Sequence, residues 1–167
     1  MKTFIGILAL VLALPSFAQT NAGASTAEVA VIKAVLDVHQ KTLSGKTIVS
    51  KKTFGELTTT AADPVQRSFA DLAPELINDY KSRNAKPVDL DLGVALPLTK
   101  GGIFDYAKID AKTVLEVSRP GLSTNGSAAI VRLTEFAKDA LPRPFTYAAR
   151  RDDSGNWTVE VINGPLF

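Results

Sequence analysis

The chain has 167 residues, 46% of them hydrophobic and 22% charged, with a formal charge of +2. This is the length and composition of one globular domain, and the charge is too small to imply a nucleic-acid partner. With no cysteine and one histidine, His39, the chain has no disulfide framework, no thiolate chemistry and no His-rich metal site of its own.

The chain opens as an export signal. Met1-Lys2 is a short positive start, Phe4 to Leu14 is apolar apart from Gly6, and Pro15 breaks the run. Ser16-Phe17-Ala18 then sets small residues at the −3 and −1 positions of a cleavage site. The run is too short to span a bilayer, which needs ~20 apolar residues. Residues 1–18 are therefore expected to be removed after Ala18. The product would be periplasmic or extracellular, with no integral membrane segment. A polar leader, residues 19–25, precedes a single domain over 26–167.

Ser25 and Glu28 have capping-box spacing. Val29, Ile32, Val35, Leu36, His39 and Leu43 then recur every three or four residues, predicting an amphipathic helix from about Thr26 to Thr42 that stops at Gly45. Thr47-Ile48-Val49 is a short β-prone segment. Thr58 to Ala62 reads as a loop and Pro64 to Phe69 as a short helix after Asp63. A second main helix is expected from Pro74 to Arg83, ended by Asn84 and Pro87. Leu90, Leu92, Val94, Leu96 and Leu98 alternate at period two, but Gly93 and Pro97 suit them only to an edge strand. Gly101-Gly102 is a turn, after which Ile103, Phe104 and Tyr106 pack back.

Four β-prone runs close the chain: Thr113 to Arg119, Ser127 to Phe136, Phe145 to Arg151 and Trp157 to Ile162. Asn125-Gly126 between the first two is a hairpin signal. A bulge-free turn there would set Arg119 opposite Arg132 and mix the faces. One extra residue near Pro120-Gly121 instead aligns Val117 with Leu133, so a β-bulge is predicted at that point. In the last hairpin Tyr147 and Ala149 should face Val161 and Val159, with Trp157 on the same side. Glu116, Arg132, Arg150 and Glu160 fall on the opposite face, which has the mixed charge of a solvated surface. The expected fold is α+β: N-terminal helices packed on one face of a four- or five-stranded antiparallel sheet, with a C-terminal meander and a general shape like cystatin or NTF2 cones.

The stretch Leu76 to Asn84 with Pro87 and Leu90 resembles an uncharacterised family of secreted bacterial proteins. So do Leu115 to Arg119 with Gly121 and Asn125-Gly126 through Ala129 to Val131, and Tyr147 to Val159. Together they span about half of the mature chain. Where similar proteins carry a glycine- and cysteine-containing segment, this chain has Lys138 to Pro144, with neither residue. The resemblance implies export and a small α+β domain. It implies no activity and no catalytic residue.

No catalytic constellation can be assembled. His39 lies on the apolar helix face, where an imidazole ordinarily serves packing, although its pKa suits a general base. Gly121-Leu122-Ser123-Thr124-Asn125 stops one residue short of a nucleophile elbow and lies in a hairpin. Asp89/Asp91, Asp105/Asp110 and Asp152/Asp153 are carboxylate pairs without a cleft to frame them. The turn Asp152 to Asn156 lacks calcium-loop spacing. No cofactor motif and no metal site is present. Asn125-Gly126-Ser127 and Asn156-Trp157-Thr158 match the N-glycosylation pattern and concern only a eukaryotic host.

Tyrosine and arginine are common anchors of binding sites. Tyr80, Arg83 and Asn84 near a helix end, with Phe104, Tyr147 and Trp157, are the candidate ligand contacts. The leading expectation is a non-enzymatic binding module for a small apolar ligand or a protein partner. An envelope-associated interaction protein without a pocket is the first alternative. A hydrolase using carboxylates or His39 is the second.

Overall fold

The computed structural model describes residues 23–54, 73–101 and 103–163. The expected export signal, the expected loop at Thr58 to Ala62, the expected short helix at Pro64 to Phe69 and Gly102 lie outside these residues.

Helix α1 spans Thr26–Gln40. Its capping box forms as the spacing requires: the Glu28 amide donates to the Ser25 hydroxyl at 3.4 Å, and the Ser25 amide donates to the Glu28 carboxylate at 2.7 Å. The stripe turned to the sheet is Glu28, Val31, Ile32, Val35, Leu36 and His39. Val31 thus replaces the half-buried Val29 at the centre of the apolar face. Each fully buried aliphatic side chain on this stripe contributes about 1.5–3 kcal/mol.

Among the described residues the sheet has six strands, with β1 at Thr47–Val49, β2 at Thr113–Val117, β3 at Gly121–Leu122, β4 at Ala128–Ala137, β5 at Arg143–Arg151 and β6 at Trp157–Asn163. Their order is β1-β2-β4-β5-β6, with β3 paired to β4 beyond the end of β2. All pairs are antiparallel except β1 with β2. That parallel pair lies outside the expected meander. It is possible because the intervening residues 50–112 provide the long crossover that parallel pairing needs.

The predicted bulge is present. Val117 faces Leu133, whereas Gly121 faces Ile130, so the β2–β3 side holds one residue more than β4 between the two pairs. The extra residue keeps Leu115, Val117, Val131 and Leu133 on the face covered by α1. Phe145, Tyr147 and Ala149 complete that core from β5, with Trp157 and Val159 of β6 packed on its margin. Tyr147 faces Val161 and Ala149 faces Val159, as the alternation requires.

Helix α2, Pro74–Arg83, begins with proline in its first turn and lies along β3. The approach is so close that a Cβ on Gly121 would stand 2.5 Å from the Leu76 carbonyl oxygen. Leu76 and Tyr80 pack with Ile130, which alternates with Val131 and points away from α1. The two helices therefore feed separate apolar clusters.

The segment from Val88 to Leu98 does not form the continuous edge strand that its alternation suggested. Gly93 and Pro97 interrupt the ladder, leaving isolated bridges between Ser50 and Val94, Lys52 and Asp89, and Leu98 and Phe104. Gly93 presses on the backbone of Ser50 and Lys51, where an added Cβ would lie 2.3 Å from the Ser50 carbonyl oxygen. A short 3-10 helix, Tyr106–Lys108, leads into β2. Among the described residues, no helix is long and apolar enough to cross a membrane.

Candidate functional site

Three features concentrate the chemistry: two buried polar clusters on the α1 side and one cleft on the opposite side of the sheet.

The first cluster centres on Glu28, which is fully buried. Arg119 Nε and Nη2 donate to its two carboxylate oxygens at 2.8 and 3.1 Å, and Arg83 Nη1 stands 3.5 Å away. Burial alone would raise the Glu28 carboxyl; the bonds from Arg119 and Ser25 outweigh it and hold the group below its ordinary value. Asp79 accepts from Arg83 Nε at 2.6 Å and from the Leu122 amide at 2.7 Å. Asn84 accepts from the Arg119 amide at 2.8 Å and donates to the Arg119 and Tyr80 carbonyls. The network ties α1, the end of α2 and the bulged β2–β3 corner together. Each polar group in it is engaged, so its chemistry is that of a joint.

The second cluster is His39, Tyr147 and Glu135. His39 Nδ1 lies 2.6 Å from the Tyr147 hydroxyl, and Nε2 lies 3.7 Å from Glu135, which is ion-paired with Arg143. Burial lowers the His39 pKa and Arg143 adds to the effect against the pull of Glu135. Burial, with Glu135 nearby, pushes the Tyr147 phenol up to about 12. A carboxylate, an imidazole and a phenol in line resemble a proton relay. Yet His39 and Tyr147 are each 1% exposed and Glu135 2%, beneath α1. A relay must reach a reacting atom, and none of these three side chains lines the cleft. The Phe145 ring packs edge-on to His39 at 4.7 Å, as in a core.

The cleft has a volume of about 330 Å³. One wall is the chain after β1, from Ser50 to Thr53, with Pro87 beside it; the other is Val94, Ala95, Leu96, Leu98 and Phe104. Glu116 of β2 stands between them. It reaches this side because it alternates with Leu115 and Val117, which face α1. Phe104 is braced edge-on by Phe136 at 5.1 Å and by Tyr106 at 6.1 Å. Val94 and Leu98 at the rim are 46% and 59% exposed. Burial raises the Glu116 carboxyl, and both burial and the nearby Glu116 raise the Tyr106 phenol. A second hollow, about 380 Å³, lies over Ala148, Arg150, Thr158 and Glu160. Its exposed, mixed charges are those of the solvated sheet face expected there. Arg132 of the same face is instead buried, and Glu116 half-buried.

The six candidate contacts are distributed across these features. Tyr80 is buried against Leu76 and Ile130. Arg83 and Asn84 belong to the Glu28 network. Tyr147 holds His39 in the core, and Trp157 is packed on the margin of the same core. Phe104 alone of the six lines the cleft. The hairpin β3–turn–β4 encloses Ser123, whose hydroxyl accepts the Ala128 amide at 2.9 Å. Among the described residues no group of three or more His, Asp or Glu side chains is arranged to hold a metal. Sequence reasoning passed over Glu116 as one of several sheet-face charges. Its signal was a lone carboxylate within Thr113-Val114-Leu115-Glu116-Val117, a run otherwise buried.

Comparison of the chain with protein-family models, curated proteins and solved structures finds no match.

Proposed function

We propose that this protein is an exported binding module for a small apolar ligand, held in the cleft between Ser50–Thr53 and Val94–Phe104. The observation that carries the reading is the cleft itself. Its 330 Å³ falls within the size of small-molecule sites, and most of its lining surface is apolar, with Ser50, Lys51, Lys52, Thr53 and Glu116 as the polar residues. Phe104 offers an aromatic surface fixed by two neighbouring rings, so little freedom is lost when a ligand packs on it. Export rests on the signal pattern of residues 1–18. The polar clusters under α1 support a non-enzymatic role, because Glu28, His39, Tyr147 and Glu135 at their centres are buried and none of the four lines the cleft.

The test is titration of the protein with the neutral fluorophore N-phenyl-1-naphthylamine. Saturable enhancement is expected, weakened at least ~10-fold by Phe104→Ala through lost apolar contact. Leu98→Asp at the exposed rim should weaken it too without altering the melting temperature. Absence of saturable binding, or binding indifferent to both substitutions, would refute the assignment.

A further inference from the structure

Among the described residues, Glu116 is the one acidic group in the cleft wall, and its surroundings are unusual for a carboxylate. No described residue forms a hydrogen bond or ion pair with it; burial alone acts on its titration, and that raises it. Its register partner across β4 is Thr134. Lys51 and Lys52 share the cleft lining with Glu116 and Arg132 belongs to the same sheet face, and none of them lowers the Glu116 carboxyl. Lys51 and Lys52 are both exposed, where water screens their charge. A half-buried acid beside Leu96, Leu98 and Phe104 has lost part of its hydration without gaining a partner. Such a group in a core is a cost with no return, whereas in a ligand cleft it is an acceptor held ready for a donor.

We infer that the ligand of this cleft is an apolar amine, whose ammonium group pairs with the Glu116 carboxylate while its hydrocarbon or aromatic body lies against Leu96, Leu98 and Phe104. The inference deepens the proposed binding role and rests on it. The ammonium supplies the missing counter-charge and up to three donors in a site of reduced dielectric. A neutral alcohol could supply one donor and no charge. A carboxylate would be repelled by Glu116.

The experiment compares n-octylamine, n-octanol and n-octanoate at pH 7 as displacers of N-phenyl-1-naphthylamine. All three share one apolar body. Octylammonium is expected to bind on the order of tenfold more tightly than octanol, the scale of one charge-assisted hydrogen bond. In Glu116→Gln that preference should fall to about onefold, with fluorophore binding retained. Carboxyl NMR gives a second readout: octylammonium should lower the Glu116 titration midpoint, because a cation favours the ionised acid, whereas octanol should not. If the fluorophore binds but octanol or octanoate matches octylamine, the amine assignment is overturned and the apolar site stands. If neither the fluorophore nor any of the three binds, both fall.

Discussion

Arg119→Met should be among the most damaging single substitutions in this domain, because of what it leaves behind. Glu28 has no exposed surface and draws two hydrogen bonds, at 2.8 and 3.1 Å, from Arg119. Removing one partner of a buried ion pair costs about 3–5 kcal/mol. Here the Ser25 amide still donates at 2.7 Å and Arg83 Nη1 remains 3.5 Å away, which places the loss near the lower end, at about 3 kcal/mol. With a urea dependence of about 2 kcal/mol per molar, the unfolding midpoint should fall by about 1.5 M. Replacing both partners, in Glu28→Leu/Arg119→Met, removes the stranded charge along with its partner. That variant should lie within about 1 kcal/mol of the parent, the deficit being the lost cap. Urea unfolding followed by Trp157 fluorescence and circular dichroism measures all three proteins. The reasoning fails if Arg119→Met unfolds within about 0.5 kcal/mol of the parent. It fails equally if the double variant is no more stable than Arg119→Met, since Glu28 would then not be a buried, uncompensated charge.

Other consequences follow from the same packing. Gly121→Ala would drive a Cβ to 2.5 Å from the Leu76 carbonyl oxygen and 2.6 Å from Tyr80 Cβ, so α2 must shift; a loss of about 1–3 kcal/mol is expected in chemical unfolding. The Tyr147 phenol, raised from 10 to about 12, contributes stability that is complete below pH 10 and lost as pH rises through 12, roughly 3 kcal/mol in all; an alkaline unfolding series should show the loss, and Tyr147→Phe should lack it. His39 has the opposite sign. Its folded pKa lies below 6.5, so its contribution is complete above that pH and lost as pH falls towards the folded value; His39→Phe should flatten the melting temperature just below pH 6.5.

Local rules carried the fold a long way. The capping box, the proline-led start of α2 and the alternation in β2, β4, β5 and β6 each depend on residues a few positions apart, and each appears as the spacing required. The bulge was legible because a bulge-free hairpin would have set two arginines opposite one another, a conflict visible without coordinates. Long-range pairing was not legible. Thr47-Ile48-Val49 could have joined any edge, and its parallel pairing with Thr113 to Leu115 is decided by the crossover between them. The same limit hid the cleft, since Ser50 and Val94 meet only through that crossover. It also hid the second role of Glu28, because the cap is local whereas Arg119 lies 91 residues away.

Among the described residues, the contrast between Glu28 and Glu116 separates structural from functional charge in this molecule. Both are glutamates removed from water, and burial acts to raise both. Glu28 escapes because Arg119 and Ser25 meet its two oxygens, and its carboxyl ends below its ordinary value. Glu116 has no such partners, and its carboxyl ends above. If packing alone decided these positions, Glu116→Leu would stabilise the domain, because it removes a desolvated acid and leaves apolar neighbours. Stability and binding should then move in opposite directions: the leucine variant is expected to unfold at higher urea while losing its preference for octylammonium. Such a trade is the mark of a site kept for its ligand at a cost to the fold. A leucine variant that loses stability would instead place Glu116 among the structural charges and remove the argument for an amine.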